Sequence, residues 1–439
     1  MNNRVVSIAL SFVGLLVGAG FATGQEVVQY FTSFGMMGVW GTIVAGAIMT
    51  LAGTVFLQLG SYFHAAEHNT VFRQVTHPII SKLLDVSVII TLFAVGFVML
   101  AGAGSNMEQQ FGWPTWAGST LMLVLVILTG MLDVNKVSKV IGALTPSVII
   151  AVLGVGIYTA FNLPDDIGRA VEVSAQVESP ISHWLVSALN YNGLALILAV
   201  SMTLVIGGDQ LNPREAGRGG IVGGVIYSVM MLISMFALIV NAEKIQGTDI
   251  PMLTLVDALH PALGVVMAVI IFLMIFNTAI GMFYALGKRL SAGREDRYPV
   301  IFIIGCLAGY AVSFAGFKAL MQYVYPVIGY IGIVMIVVLV VAWLKSFSEI
   351  KDEAVRRDRL TALLHLKLHP DKEYSEGYDS VIGEELVASN MERDVLYDSV
   401  IEEVASELDA DDDSDFSKDE FEPQGVEAYL KDEGENKKS

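Results

Sequence analysis

The sequence predicts an all-α integral membrane protein: ten transmembrane helices followed by an acidic tail. Three observations carry that expectation. Of 439 residues, 54% are hydrophobic and only 16% charged, whereas a soluble domain has about 25% charged residues. Ten apolar stretches approach the roughly 20 residues that a helix needs to cross a bilayer. The acidity is also segregated. Residues 346–439 hold 28 Asp/Glu against 11 Lys/Arg, a net −17, while residues 1–345 hold 16 against 15, a net −1. The chain therefore divides into a membrane domain, 1–345, and a cytoplasmic tail, 346–439, expected to be partly helical and mostly disordered.

The expected spans are 5–34, 38–62, 83–107, 114–132, 138–161, 183–207, 219–241, 261–288, 298–316 and 321–344. The segment Pro251 to His260 is less apolar and reads as an external amphipathic piece before the eighth span. Lys and Arg of short loops set the orientation. Arg4, Arg73, Lys82, Lys136, Lys139, Arg214, Arg218, Lys288, Arg289, Arg294, Arg297 and Lys345 fall on one side, against Arg169, Lys244 and Lys318 on the other. Both termini are thus expected in the cytoplasm of a multi-pass cell-membrane protein. The first segment is not expected to be a cleaved signal peptide, because apolar character resumes after Glu26. Cys306 is the single cysteine and sits in an apolar run, which excludes a disulfide framework.

The first span contains GAGFATGQE, Gly18 to Glu26. Glycine costs about 1 kcal/mol relative to alanine in a helix interior, so Gly18, Gly20 and Gly24 make a weak helix there. Backbone inside the bilayer can be irregular only where it is buried in protein or lines a cavity. An unwound turn would present carbonyls at the end of one half-helix and N–H groups at the start of the next, suited to a cation and an anion. Close helix packing through small residues is the alternative, and Gly14 with Gly18 fits that spacing too. Thr23, Gln25 and Glu26 favour a site, because polar groups at that depth are expensive. The sixth span carries a second polar interruption, Asn190, Tyr191, Asn192 and Gly193. Two interruptions five spans apart suit an inverted repeat of two five-helix halves, with broken first and sixth helices.

GAGFATGQE followed by YFTSFG, the ten spans and the ALNYN stretch resemble the YkvI-like bacterial membrane proteins. More distantly, the chain resembles the amino acid–polyamine–organocation superfamily with its LeuT fold. The resemblance covers about residues 4–345. It implies alternating access, coupled to sodium or protons, for a small organic solute such as an amino acid. The superfamily's first-span pattern falls on Gly14, Val17, Gly18 and Gly20. It gives the carbonyls of Gly14 and Val17 to a sodium ion. The amides near Gly18, Ala19 and Gly20 go to an anionic group of the solute, with Thr23, Asn190, Tyr191, Asn192 and Gly193 completing the pocket. The eighth span reads IFNTAIG, where Asn277 and Thr278 offer a carbonyl and a hydroxyl, but Ala279 replaces a second hydroxyl.

Glu26 is expected to be a coupling or gating acid, or else a hydrogen-bonded cap on the second half-helix. Tyr323, Tyr325 and Tyr330 are expected at the interface or in packing. Asp85 and Glu108 are expected at the interface, Asp209 at an inner gate or loop, and His64, His68 and His77 in a polar loop. The tail repeats YDSVI at 378–382 and 397–401, which suits a docking element for a cytoplasmic protein or a solvated tail. No P-loop, HExxH or zinc spacing occurs. No enzyme activity, cofactor or nucleic-acid partner is expected; the partners are a solute and the lipid bilayer. A passive channel and a sensor signalling through the tail are the rival functions.

Overall fold

The computed structural model describes residues 3–75, 77–131, 145–410, 414–418, 421, 423 and 425–429. The described residues contain helices and no strand. Six helices are long and apolar enough to cross a membrane: α4 (Met36–Tyr62), α6 (Pro78–Phe111), α10 (Trp184–Gly208), α11 (Pro213–Val240), α13 (Pro261–Leu290) and α15 (Phe317–Leu368). Four shorter apolar helices fill the remaining expected stretches: α1 (Asn3–Leu16), α7 (Thr115–Gly130), α8 (Thr145–Phe161) and α14 (Tyr298–Ser313). The start of the fifth expected span, with Lys136 and Lys139, lies outside the described residues.

The first expected span is divided into α1, α2 (Ala19–Thr23) and α3 (Gln25–Tyr30). Its interruption at Val17–Gly18 matches the glycine argument. A second interruption follows at Gly24, whose φ of +77° only glycine adopts freely. The sixth expected span is a correction: α10 is one uninterrupted helix through Asn190–Gly193. Its polar groups bond across and along the helix, so nothing there needs unwinding. Tyr30 Oη donates to Asn190 Oδ1 at 3.2 Å, Asn190 Nδ2 to Pro326 O at 2.9 Å, and Asn192 Nδ2 to Ala188 O at 2.9 Å.

Glycine-mediated packing sorts the helices into two bodies. In the first, α1, α4, α10 and α11 approach closely. A side chain on Gly53 would meet Phe12; on Gly60 it would meet Leu204 O, and on Gly223 it would meet Ala9 O. In the second, α6, α7, α13 and α14 pack together, with Gly96 and Gly309 against Phe283 and Gly118 against Met107 and Ala103 O. Helix α15 lies against α10, where Gly193 meets Gly329 O and Gly332 meets Gly193 O.

At the far end from the tail, α12 (Pro251–Leu259) covers the Gly24 break: a Cβ on Gly24 would lie 3.2 Å from Met252 N. Its lead-in is fastened to α6. Gln109 Nε2 donates to Ile250 O and Ile250 N to Gln109 Oε1, both at 3.0 Å, and Ser105 Oγ donates to Asp249 Oδ2 at 2.8 Å.

The tail is a second correction. α15 runs 52 residues, through the expected boundary at 346, to Leu368. Two further helices, α16 (Gly377–Ala388) and α17 (Arg393–Asp409), then pack back on it around Leu360, Leu364, Ile382, Leu386, Leu396 and Tyr397. The reason is visible in the repeats: Ile382, Tyr397, Val400 and Ile401 are all buried in this small core, so apolar faces on acidic helices meet and order the tail. Within it, Glu353 and Arg357 form a buried pair at 2.8 Å. Burial works against the carboxylate's charge. Hydrogen bonds from Ser389, Arg357 and Arg356 nevertheless hold Glu353 below the usual range. Of the acidic run 409–420 expected to be disordered, residues 411–413, 419 and 420 lie outside the described residues.

Candidate functional site

The break in the first span borders a cavity of about 240 Å³ between the two bodies. Gly14, Val17, Gly18, Ala19, Gly20 and Glu26 line it from the first body, together with Leu194, Leu198 and Met202 of α10. Val95 and Met99 of α6 and Met274, Asn277 and Thr278 of α13 face it from the second, and Tyr325 from α15. Residues selected from two distant stretches of sequence thus share one space.

Local structure explains how. α1 loses its regular ladder at its end, where Gly18 N bonds Leu16 O at 2.9 Å. The first N–H groups of α2 then have no carbonyl a turn behind them. Gly24 turns the chain so that α3 starts directly after α2, and Glu26 in its first turn folds back onto Gly20. The approach is so close that any Cβ on Gly20 would overlap the Glu26 carboxyl. Glu26 is 9% exposed. No hydrogen bond or ion pair reaches its carboxyl from the described residues, so it is not the hydrogen-bonded cap that was the alternative. Thr23 provides the local cap instead: its hydroxyl donates to Gly20 O at 2.7 Å and accepts from Gln25 N at 3.3 Å.

On the opposite wall, Thr278 Oγ1 donates to Met274 O at 3.0 Å, which leaves its lone pairs free to accept. Asn277 Oδ1 is buried without a hydrogen-bond partner. These oxygens, with the carbonyls of Gly14 and Val17, are hard ligands that could hold an alkali cation.

Thr23, Asn190, Tyr191, Asn192 and Gly193 do not line the cavity. Tyr191 is buried in an aromatic cluster, with Tyr30 at 5.6 Å, Phe31 at 5.0 Å and its hydroxyl 2.5 Å from that of Tyr227. Four methionines, Met99, Met202, Met274 and Met282, do line it. Nothing in the sequence marked them, because methionine in an apolar helix looks like any core residue. Of the three tyrosines in α15, Tyr323 and Tyr330 are exposed as expected, but Tyr325 is buried at the cavity.

A polar contact joins the bodies at the tail end. His68, in α5 (His68–Val75), is buried rather than in a solvated loop. Ser201 Oγ of α10 lies 3.0 Å from its Nδ1, and Arg289 of α13 hydrogen-bonds its Nε2. Asp85 of α6 stands 3.9 Å from Arg289 and 4.0 Å from His68. Burial, reinforced by Arg289, pushes the His68 pKa down to about 4. The neutral ring then donates from Nδ1 to Ser201 and accepts from Arg289 at Nε2. Met202, beside Ser201, lines the cavity and is 52% exposed. Asp209 caps α10 at the surface and takes no part.

No protein-family model matches the chain. Two proteins of Bacillus subtilis strain 168 are similar to it. The membrane protein YkvI is 26% identical over 329 residues, covering 75% of this chain and 93% of YkvI. YyaD is 23% identical over 331 residues, covering 75% and 94%. Among solved structures, the inward-facing conformation of Mhp1 superposes with a TM-score of 0.51 at 12% identity, over 75% of each chain. Mhp1 is a nucleobase-cation-symport-1 family transporter. A variant of the Eremococcus coleocola manganese transporter gives 0.50 at 13% identity, over 96% of this chain and 90% of that one. At these identities the likeness is one of fold.

Proposed function

We propose that this homologue of the Bacillus membrane protein YkvI and of YyaD is a secondary active transporter of a small organic solute, an amino acid or related compound. The ten apolar segments are its ten spans, in two inverted halves of the LeuT type, with the tail and Arg4 in the cytoplasm. The observation that carries the reading is the cavity itself. It lies between two separately packed bodies, at a broken helix, and contains a buried carboxylate with no partner among the described residues. Rocking of one body against the other would expose that cavity to each side in turn. A channel needs no such division.

On the far side α12 covers the Gly24 turn, and on the tail side the cavity reaches Met202. On the proposed function this is an inward-facing form. Amides near Gly18, Ala19 and Gly20 would hold the solute's anionic group. Gly14, Val17, Asn277 and Thr278 would hold sodium; the orphaned Asn277 Oδ1 supports that fit, and Ala279 weakens it. Glu26 is the competing carrier of coupling, by protons. Among the described residues no three of His, Cys, Asp and Glu come together as a metal-binding group.

Thermal-shift screening of the purified protein against amino acids, with and without sodium and across pH, tests this reading. A stabilising solute whose effect needs sodium, or needs Glu26 in one protonation state, supports it. A solute that stabilises the Gly20→Leu variant equally well contradicts the site.

A further inference from the structure

The folded tail makes a selective set of contacts. Arg357 is 1% exposed, and its guanidinium is spent entirely on partners. It donates to Ser61 O at 3.0 Å and Tyr62 O at 3.1 Å, at the end of α4, and to Leu211 O at 2.9 Å, in the corner between α10 and α11. It also donates to Asn390 Oδ1 at 2.8 Å, whose Nδ2 donates in turn to Tyr62 O at 2.7 Å. Asp358 pairs with Arg214 of α11 at 2.9 Å and accepts from Asn212. Finally Arg4, at the start of α1, pairs with Glu403 and, at 2.6 Å, with Glu407, both on α17. These contacts all end on α1, α4 or the α10–α11 corner, which belong to one body.

They differ in kind. The ties to α4 and to the α10–α11 corner are built on the buried Arg357, whose N–H donors would be left unpaired if they broke. The tie to α1 is two partly exposed ion pairs, which are weak and screened by salt. Helix α1 also ends at the Val17–Gly18 break, and a Cβ on Gly14 or Gly18 would meet no atom within 4 Å. Helix α1 thus ends at a break with free space beside two of its glycines, while at its start the Arg4 pairs add to the packing of Val5 and Ile8 against α11.

We propose that the tail is a clamp: anchored on the body through Arg357, it holds α1 in place through Glu403 and Glu407 and so restricts opening of the cavity to the cytoplasm. The proposal rests on the inward-facing reading above and adds its regulation. Loss of the two pairs leaves α1 held by its packing alone and eases its pivoting about the break to widen the mouth. The clamp weakens as ionic strength rises.

The test uses the full chain with Cys306→Ser and a reporter, Leu15→Cys, which lines the cavity. A membrane-impermeant maleimide is applied to inside-out vesicles, and labelling rates are compared. Glu403→Gln with Glu407→Gln should label about three- to tenfold faster than the unaltered tail, the range two exposed pairs provide. Raising salt should speed labelling with the unaltered tail and leave the double variant unchanged. Arg4→Glu combined with Glu403→Lys and Glu407→Lys should restore the slow rate. Equal rates in all forms at all salt concentrations would overturn the clamp while keeping the cavity. No labelling in any form would remove the inward-open cavity and the clamp with it.

Discussion

Gly20 and Glu26 meet at the break in the first span. The sequence marked Gly20 as one of three glycines and Glu26 as an expensive acid, but not that the two touch. That contact depends on the left-handed turn at Gly24, which folds α3 onto α2. It makes a graded prediction. Gly20→Ala should lower transport at least tenfold by displacing the carboxyl, whereas Gly14→Ala, which meets nothing, should stay within about twofold, an estimate from how tightly packed sites respond to added atoms. Equal losses in uptake would show that the glycines matter only for helix stability. His68 was not legible, since its partners Ser201, Asp85 and Arg289 come from three other helices. Its pKa is lowered from 6.5 to about 4, so the unfolded chain binds the proton first. The stability that this site supplies is fully present above pH 6.5 and is lost as pH falls toward 4, at up to about 1.4 kcal/mol per pH unit. Thermal unfolding of the detergent-solubilised protein should show that slope, and His68→Gln should flatten it. An unchanged slope in the variant would assign the pH dependence elsewhere.

At the scale of elements, the two polar interruptions separated into different things. Both break an apolar run with amides, hydroxyls and glycine, and composition does not distinguish a helix that unwinds from one that packs. In α10 a neighbour decides: the backbone of α15 comes close enough that Gly193 faces Gly329 O, and Asn190 bonds Pro326 O. Gly193→Ala should therefore act as overpacking, costing about 1–3 kcal/mol of stability, measured as lower thermal stability with solute affinity preserved in the folded fraction. Weakened affinity at unchanged stability would return Gly193 to the pocket. The ten apolar stretches were readable because period and length suffice for that. Their sidedness rests on Lys and Arg alone. Ala292 and Gln176 are exposed, whereas Ser291 and Ser174 are buried, so they are the positions to probe. In a Cys306→Ser background, Ala292→Cys should label from the cytoplasm and Gln176→Cys from outside. Labelling of both from the same side would overturn the orientation.

Over the whole molecule, the division into two bodies was invisible in sequence, because it depends on which glycines face which helices. The tail was misjudged for a related reason. Its charges are real, but they lie on helices whose opposite faces meet in a core around Leu360, Ile382 and Val400. On the proposed function, the division lets the cavity between, with an acid that has no partner among the described residues, be exposed alternately and be driven. The most direct measurement is uptake of labelled amino acids into proteoliposomes under an imposed sodium or proton gradient. Accumulation above the external concentration is expected with one of the two gradients. If sodium drives it, Thr278→Val abolishes the dependence and Glu26→Gln remains active; if protons drive it, Glu26→Gln abolishes accumulation. Equilibration that stops at the external concentration under either gradient, unaffected by both substitutions, would contradict it.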